Sequence, residues 1–210
     1  MLNLISQREG LWWPSKDEGC WDYNKRFAPN VPQDLAQYVP IKGVVVQAGG
    51  NCGQYIKQYA DIFDRVYTFE PDPINFLCLT LNCLKPNVYK YQACVGNVRN
   101  LVELNVNDAD VGATHINPNK KNGIIPTLRI DDLNLDRCDL MQLDTEGFEY
   151  FGLQGAENTL NKFRPVLSIE WYEPWADRYG VTLEMLETYL SQWNYKLRGV
   201  HVTDRVYVAE

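Results

Sequence analysis

The sequence predicts an α/β fold: an open sheet with helices packed on it and an antiparallel hairpin at one edge. Three observations carry that expectation. Val44-Val45-Val46 runs into the glycines of Gly49-Gly50-Asn51-Cys52-Gly53 and restarts with helical spacing, and Val66-Tyr67-Thr68-Phe69 stops on the acid Glu70. A β-branched strand, a glycine turn, a helix and a second strand closing on a carboxylate open a nucleotide-binding βαβ unit and point to an adenosine-containing cofactor. At the other end of the chain, residues 195–202 and 205–209 flank Thr203-Asp204 and read as a hairpin.

The elements between follow in order. Residues 53–63 place Tyr55, Ile56, Tyr59, Ala60 and Phe63 at helical spacing, which predicts the helix that crosses to the second strand. Asp72 stands as an N-cap with Pro73 at the first helical position. The helix it starts has Ile74, Leu77, Cys78 and Leu81 as its apolar face and stops at Lys85-Pro86. Residues 88–95 predict a third strand leaving through Gly96-Asn97. Residues 101–106 alternate strictly and 123–130 are extended, which predicts a strand pair inserted before the fourth strand, with a polar loop between them that can reach over a ligand. The fourth strand ends on Asp144, with Glu146-Gly147 directly after it. A helix over 149–160 is broken near Gly152 and Gly155, and residues 165–170 form a strand closing on Glu170. Thr182 caps a helix whose Leu183, Leu186, Leu190 and Trp193 share a face.

With 210 residues the chain can bury one full core. Residues 41–210 are read as that domain. Residues 1–40 hold Trp12, Trp13, Trp21, Tyr23, Phe27 and four prolines with little periodicity, and are read as an arm packed on the sheet or a lid over the substrate. A net charge of −7 argues against a nucleic-acid partner, which needs a basic footprint to release counterions. Six cysteines without a Cys-x-x-Cys pair read as reduced, buried thiols. There is no stretch of eighteen apolar residues and no leader-like opening, so the expectation is a cytoplasmic protein with no membrane partner.

In open α/β sheets ligands bind outside the carboxyl ends of the strands where the strand order reverses. Gln47, Glu70, Val95, Asp144 and Glu170 are expected to line that crevice, with Glu70 accepting hydrogen bonds from ribose hydroxyls. The glycine turn lets the backbone approach a ligand, and the helix behind it presents free N–H donors.

Taken together, these pieces resemble the FkbM family of S-adenosylmethionine-dependent methyltransferases over about residues 42–208. The family's acid-x-Gly-Ala-Asn-x-Gly corresponds to Gln47-Ala48-Gly49-Gly50-Asn51-Cys52-Gly53, and its Phe-Glu-Pro-x-Pro to Phe69-Glu70-Pro71-Asp72-Pro73. Arg129-Ile130-Asp131-Asp132-Leu133 and Gln142-Leu143-Asp144-Thr145-Glu146-Gly147-Phe148-Glu149 match two further motifs, and Leu153-Gln154-Gly155-Ala156 and Ser168-Ile169-Glu170 follow in the family's order. The resemblance implies a Rossmann-like, seven-stranded class I methyltransferase sheet whose last strand is reversed. It also implies S-adenosyl-L-methionine as cofactor, with Gln47, Gly49, Asn51, Gly53, Glu70, Asp72, Cys94 and Val95 as its binding residues. Two positions depart from the pattern. Gln47 replaces an acid, turning a charge-assisted contact into a neutral one, and Gln142 replaces a lysine, which bears on substrate choice.

Methyl transfer depends on positioning the reactants, plus a base where the acceptor is a hydroxyl. Asp144 and Glu170, at strand ends, are the candidate bases, and His115 on the inserted polar loop is a third catalytic candidate. Glu146 and Glu149 serve equally as helix-start carboxylates, and Trp171-Tyr172 can stack on a sugar ring. No metal site is assigned. Asp144, Glu146 and Glu170 offer hard oxygens suited to magnesium, but strand ends in such folds collect acids for other reasons. The expected reaction is O-methylation of a small-molecule acceptor such as a sugar or nucleotide sugar, with the oligomeric state left open. Two alternatives are an NAD-dependent oxidoreductase, against which the missing third glycine of Gly-x-Gly-x-x-Gly counts, and a cofactor-binding module without catalysis.

Overall fold

The computed structural model describes residues 4–27, 29–120 and 122–210, without the side chains of 24–27, so the Phe27 ring named above lies outside the described residues. The arm comprises a hairpin of β1 (Ile5–Arg8) and β2 (Leu11–Pro14), then helices α1 (Cys20–Phe27) and α2 (Val31–Ala36). The βαβ opening follows as β3 (Val44–Ala48), α3 (Gln54–Ile62), β4 (Arg65–Phe69), α4 (Pro73–Asn82) and β5 (Val88–Tyr91). Short strands β6 (Cys94–Val95), β7 (Asn100–Val102), β8 (Leu104–Asn105), β9 (His115–Ile116) and β10 (Ile125–Leu128) make up the insertion. The chain then runs through β11 (Leu140–Leu143), α5 (Glu149–Gln154), α6 (Glu157–Phe163), β12 (Val166–Glu170), α7 (Glu173–Asp177), α8 (Leu183–Ser191), β13 (Tyr195–His201) and β14 (Asp204–Ala209).

Seven strands form one sheet in the order β13-β14-β12-β11-β3-β4-β5. The five strands from β12 to β5 are parallel, while β14 runs antiparallel to β12 and pairs with β13 as the terminal hairpin. The expected reversed last strand is therefore present. Side chains alternate across the pleat, so one face of the sheet carries Val45, Val66, Leu140 and Val166 against α2 and α3. The other carries Val46, Met141, Leu143 and Leu167 against α5, α6 and α8. Burial on both faces explains why these strands read as continuous apolar runs.

Three local expectations are corrected. The third strand stops at Tyr91, and Cys94-Val95 leaves the main sheet to pair with β10, which also pairs with β7 as the inserted strand pair. On α4 the buried face is Asn75, Cys78 and Leu79, whereas Leu77 is 41% and Leu81 37% exposed. The asparagines turn inward because they have partners: Asn82 Nδ2 donates to Trp12 O (2.8 Å) and Cys52 O (2.7 Å), its Oδ1 accepts from Trp12 N (2.7 Å), and Asn75 Nδ2 donates to Val111 O (3.2 Å). The helix after the fourth strand is interrupted once, at Gly155, whose Cα packs so close to Gly96 O that a Cβ would stand 2.0 Å from it. Asp72 caps α4 as read, accepting from Ile74 N and Asn75 N, and Thr182 caps α8 through Met185 N. All six cysteines are buried, and none forms a disulfide.

The arm docks beside the ends of the strands. Trp13 is fully buried among Cys20, Cys52, Cys78 and Val111. The buried Asp17 ties the arm to the insertion. Its Oδ2 accepts from Trp13 Nε1 (2.8 Å) and Trp21 N (3.0 Å), and its Oδ1 from Cys20 N (3.2 Å) and Val111 N (3.2 Å). Asp17→Ala leaves these buried donors without an acceptor, so we expect a loss of about 3 kcal/mol of stability, read as a lowered Tm with faster proteolysis within the first twenty or so residues. An unchanged Tm would show that the arm is not anchored here. Among the described residues no helix is long and apolar enough to cross a membrane.

Candidate active site

The strand order reverses between β3 and β11, and a cavity of about 610 Å³ opens there, beyond the carboxyl ends of the strands. The arm contributes Trp13, Cys20 and Tyr23 to its lining, and the insertion contributes Val111, His115 and Ile116.

The turn after β3 builds one wall. Gly49 N and Gly50 N both donate to Phe69 O, at 3.0 and 2.8 Å, which locks the turn to the end of β4. Gly49 has φ +88°, and a Cβ there would stand 1.8 Å from Asp144 O. Asn51, at φ +46°, donates its N–H to Glu70 Oε2 (2.7 Å), and Asp72 N donates to Glu70 Oε1 (2.8 Å). Burial pushes the Glu70 carboxyl up to about 8, against the lowering effect of these two backbone bonds. Gly49, Asn51, Glu70, Cys94 and Val95 all line the cavity.

Three residues expected at the cofactor are not among those lining it. Gln47 points to the α3 face of the sheet, where its Nε2 donates to Ala48 O (3.2 Å) and Gly49 O (2.8 Å) and its Oε1 accepts from Thr68 Oγ1 (2.9 Å). An amide can donate to the two carbonyls of the turn where a carboxylate could not, so Gln47 shapes the turn from behind. Gly53 is the left-handed N-cap of α3, packed against Cys83 and Leu79, and the Asp72 side chain is committed to capping α4. The bearing on substrate choice expected of Gln142 meets the same correction. It is fully buried, accepts from Tyr59 OH (2.7 Å) and does not line the cavity.

A second wall is acidic. Asp144 from the end of β11, Glu146 from the turn after it and Glu170 from the end of β12 bring one carboxylate oxygen each to within 4.8 Å of the others. Glu146 adopts φ +59° and sits in the cavity wall ahead of α5. Glu149 is the helix-start carboxylate, accepting from Thr145 N (2.7 Å), Thr145 Oγ1 (3.0 Å) and Gly147 N (3.2 Å). Burial and then the Asp204 charge raise Asp144 to about 7. Burial and then Asp144 raise Glu146 to about 9 and Glu170 well above the carboxylate range.

His115 reaches the lining, but its ring is engaged: Nδ1 lies 3.0 Å from Ala113 O and Nε2 3.1 Å from Asn105 Nδ2. The Nδ1-protonated tautomer satisfies both, so the ring braces the insertion and is not poised as a base. Tyr172 lines the cavity in an edge-on pair with Trp175 (centroids 4.8 Å apart), whereas Trp171 packs on the core. Trp175 lies on the one-turn helix α7, too short to produce a periodic signal, and was not anticipated. Asp17 was missed as a tie to the insertion, because Trp13 Nε1, Cys20 N and Trp21 N are local donors but Val111 N reaches it only through the fold. Chemically, the cavity offers an acceptor carboxylate beside a glycine turn, an acidic wall and an aromatic pair.

The pattern that defines the methyltransferase FkbM domain matches residues 47–197. Among solved structures, methyltransferase FkbM from Methylobacillus flagellatus KT is 22% identical with a TM-score of 0.54, the match covering 78% of this chain and 42% of that one. The chain thus spans less than half the length of that relative. A TehB-like SAM-dependent methyltransferase from Corynebacterium glutamicum aligns at 11% identity and a TM-score of 0.52, over 90% of this chain and 94% of that one. A SAM-dependent methyltransferase from Aquifex aeolicus aligns at 11% and 0.50, over 92% and 93%. No curated protein matches. At such identities the structures speak for the fold, that of the class I methyltransferases, while the domain match extends over well more than half of the sequence. The chain belongs to the FkbM methyltransferase family.

Proposed function

We propose that this chain is an S-adenosylmethionine-dependent O-methyltransferase acting on a hydroxylated small molecule, with a sugar as the leading acceptor class. The observation that carries the reading is Glu70, fixed by Asn51 N and Asp72 N at the wall of a cavity that also holds Asp144 and Glu170. Each Glu70 oxygen uses one lone pair on a backbone N–H and keeps another for a ribose hydroxyl. About 610 Å³ falls within the range of small-molecule sites. When bound, the cofactor supplies an electrophilic methyl carbon on a sulfonium.

The residues of this chain do the rest. Gly49 and Gly50 keep the turn free of side chains beside the cofactor, Asp144, with the Glu170 carboxyl beside it, accepts the proton of the attacking hydroxyl, and the Tyr172–Trp175 pair offers an apolar face to a sugar ring. The arm and insertion restrict water and hold the acceptor in line, where most of the acceleration arises. Among the described residues no lysine or arginine lines the cavity, which favours an uncharged sugar over a nucleotide sugar.

Isothermal titration tests the cofactor: S-adenosylmethionine should bind the folded protein and NAD should not, and the reverse preference would return the oxidoreductase reading. Glu70→Gln puts an NH2 group where one of the two carboxyl oxygens stands, which leaves a backbone N–H of Asn51 or Asp72 without its acceptor, so affinity should drop about 10- to 100-fold. The same variant carries a pH signature. The folded carboxyl titrates near 8 against an ordinary value of 4.5. Between those values the folded state keeps a proton that the unfolded chain has released, so this group's contribution to stability falls as pH rises through the window. Glu70→Gln should flatten that part of the Tm–pH curve, and an unchanged slope would place the proton elsewhere.

A further inference from the structure

We propose that Asp144, Glu146 and Glu170 form a site for one hard divalent cation of the magnesium or manganese class, set in the acidic wall of the cavity. One oxygen from each lies within 4.8 Å of the other two. Around a six-coordinate ion at about 2.1 Å, adjacent donor oxygens stand roughly 3 Å apart and opposite ones roughly 4.2 Å, so small side-chain adjustments suffice. All three donors are carboxylate oxygens, the chemistry that such ions prefer over softer metals.

A second observation separates this cluster from the chain's other buried acids. Glu70 accepts from two backbone N–H groups, Glu149 from three donors, and Asp17 from donors on both oxygens. Glu170 Oε2, in contrast, has less than 1 Å² of accessible surface and no donor. The Glu170 carboxylate is otherwise met by a 3.4 Å approach of Thr203 Oγ1 to Oε1 and by the Asp144 carboxyl, itself an acid. Its acidic neighbours can donate to it only while one of the carboxyls carries a proton, a proton that a cation would replace. Arg178, the cationic side chain whose charge Glu146 feels, directs its guanidinium to the Glu146 main-chain oxygen (3.2 Å). A buried carboxylate oxygen without a partner is costly, and a cation supplies the missing one.

All three residues line the cavity, so the coordination positions they leave open face the space where an acceptor enters. An ion held there would bind an acceptor hydroxyl and lower its pKa, a role that goes beyond the proposed reaction and is independent of it in the assay below.

The test is a titration with Mn²⁺ alone, without cofactor or acceptor, following the free-ion signal by electron paramagnetic resonance. Wild-type protein should take up one Mn²⁺ per chain, displaced by excess Mg²⁺, and Glu170→Gln and Glu146→Gln should each weaken uptake at least tenfold. Both variants should keep the wild-type circular dichroism spectrum, and Asp108→Asn, an exposed acid paired with Lys16, should bind as wild type does. The proposal is overturned if wild-type protein leaves Mn²⁺ free up to millimolar concentration, or if the two glutamine variants bind it unchanged. Failure of S-adenosylmethionine to bind in the separate calorimetric experiment would remove the cofactor reading and leave this one standing.

Discussion

Gly49→Ala should abolish the folded protein or lower its Tm by more than ten degrees, among the largest single-residue effects expected in this chain. The added Cβ would stand 1.8 Å from Asp144 O and 2.9 Å from Asp144 C. Those atoms are main chain at the end of β11, which pairs with β3 at the centre of the sheet, so no rotamer change relieves the overlap. Either the two strands separate or the turn unwinds, and each route loses bonds such as Gly49 N to Phe69 O. A cost above about 4 kcal/mol belongs to the exceptional class of substitutions, and each kcal/mol lowers Tm by about 2–4 °C in a chain of this size. Gly10→Ala is the control. Gly10 has φ +83° with nothing within 4 Å of the built Cβ, so it isolates the backbone strain, about 1 kcal/mol. Equal Tm losses in the two variants would show that the contact with Asp144 does not matter.

Asp144→Asn should lower kcat by at least about 100-fold while leaving S-adenosylmethionine affinity within a few-fold of wild type. General base contributions commonly span 10²–10⁴, and the amide keeps the size of the carboxylate while losing both its charge and its basicity. Asp144 and Glu70 stand on different strand ends, so a base residue and a ribose-binding residue should separate in the two readouts: Glu70→Gln mainly in cofactor binding, Asp144→Asn mainly in turnover. Glu170→Asn is a poorer test than Glu170→Gln because it shortens the side chain as well as neutralising it. A variant of Asp144 that retains full turnover would remove this residue from the chemistry. Loss of cofactor binding together with turnover would make its role one of site assembly.

Much of the sheet was legible because its strands are buried on both faces and punctuated by glycines and acids. Val44–Ala48, Arg65–Phe69, Leu140–Leu143 and Val166–Glu170 fall where the apolar runs predicted them. The caps at Asp72 and Thr182 were legible for the same local reason, since a side chain bonding to backbone two or three residues on needs no distant partner. The face of α4 was not. Periodicity ranks Leu77 and Leu81 above Asn75 and Asn82, and only the arm's Trp12 and the insertion's Val111 supply the partners that draw the asparagines inward. Gln47 misled similarly, because its position in the motif suggested a ligand contact while its amide serves the carbonyls of its own turn.

The sequence by itself determined the order of strands and helices, the glycine turn, the carboxylates closing the strands and the family to which these motifs belong. Each of these is written in residues close together along the chain, where steric limits and local hydrogen bonds decide the outcome. Tertiary structure alone decided which of those residues share the cavity: that Glu146 joins Asp144 and Glu170, that Gln47, Gly53 and Asp72 stand behind it, and that the arm and insertion meet through Asp17. Apart from the neighbours Asp144 and Glu146, these pairings join segments tens of residues apart, and they depend on how buried polar groups find partners once the sheet has closed, which no local pattern encodes.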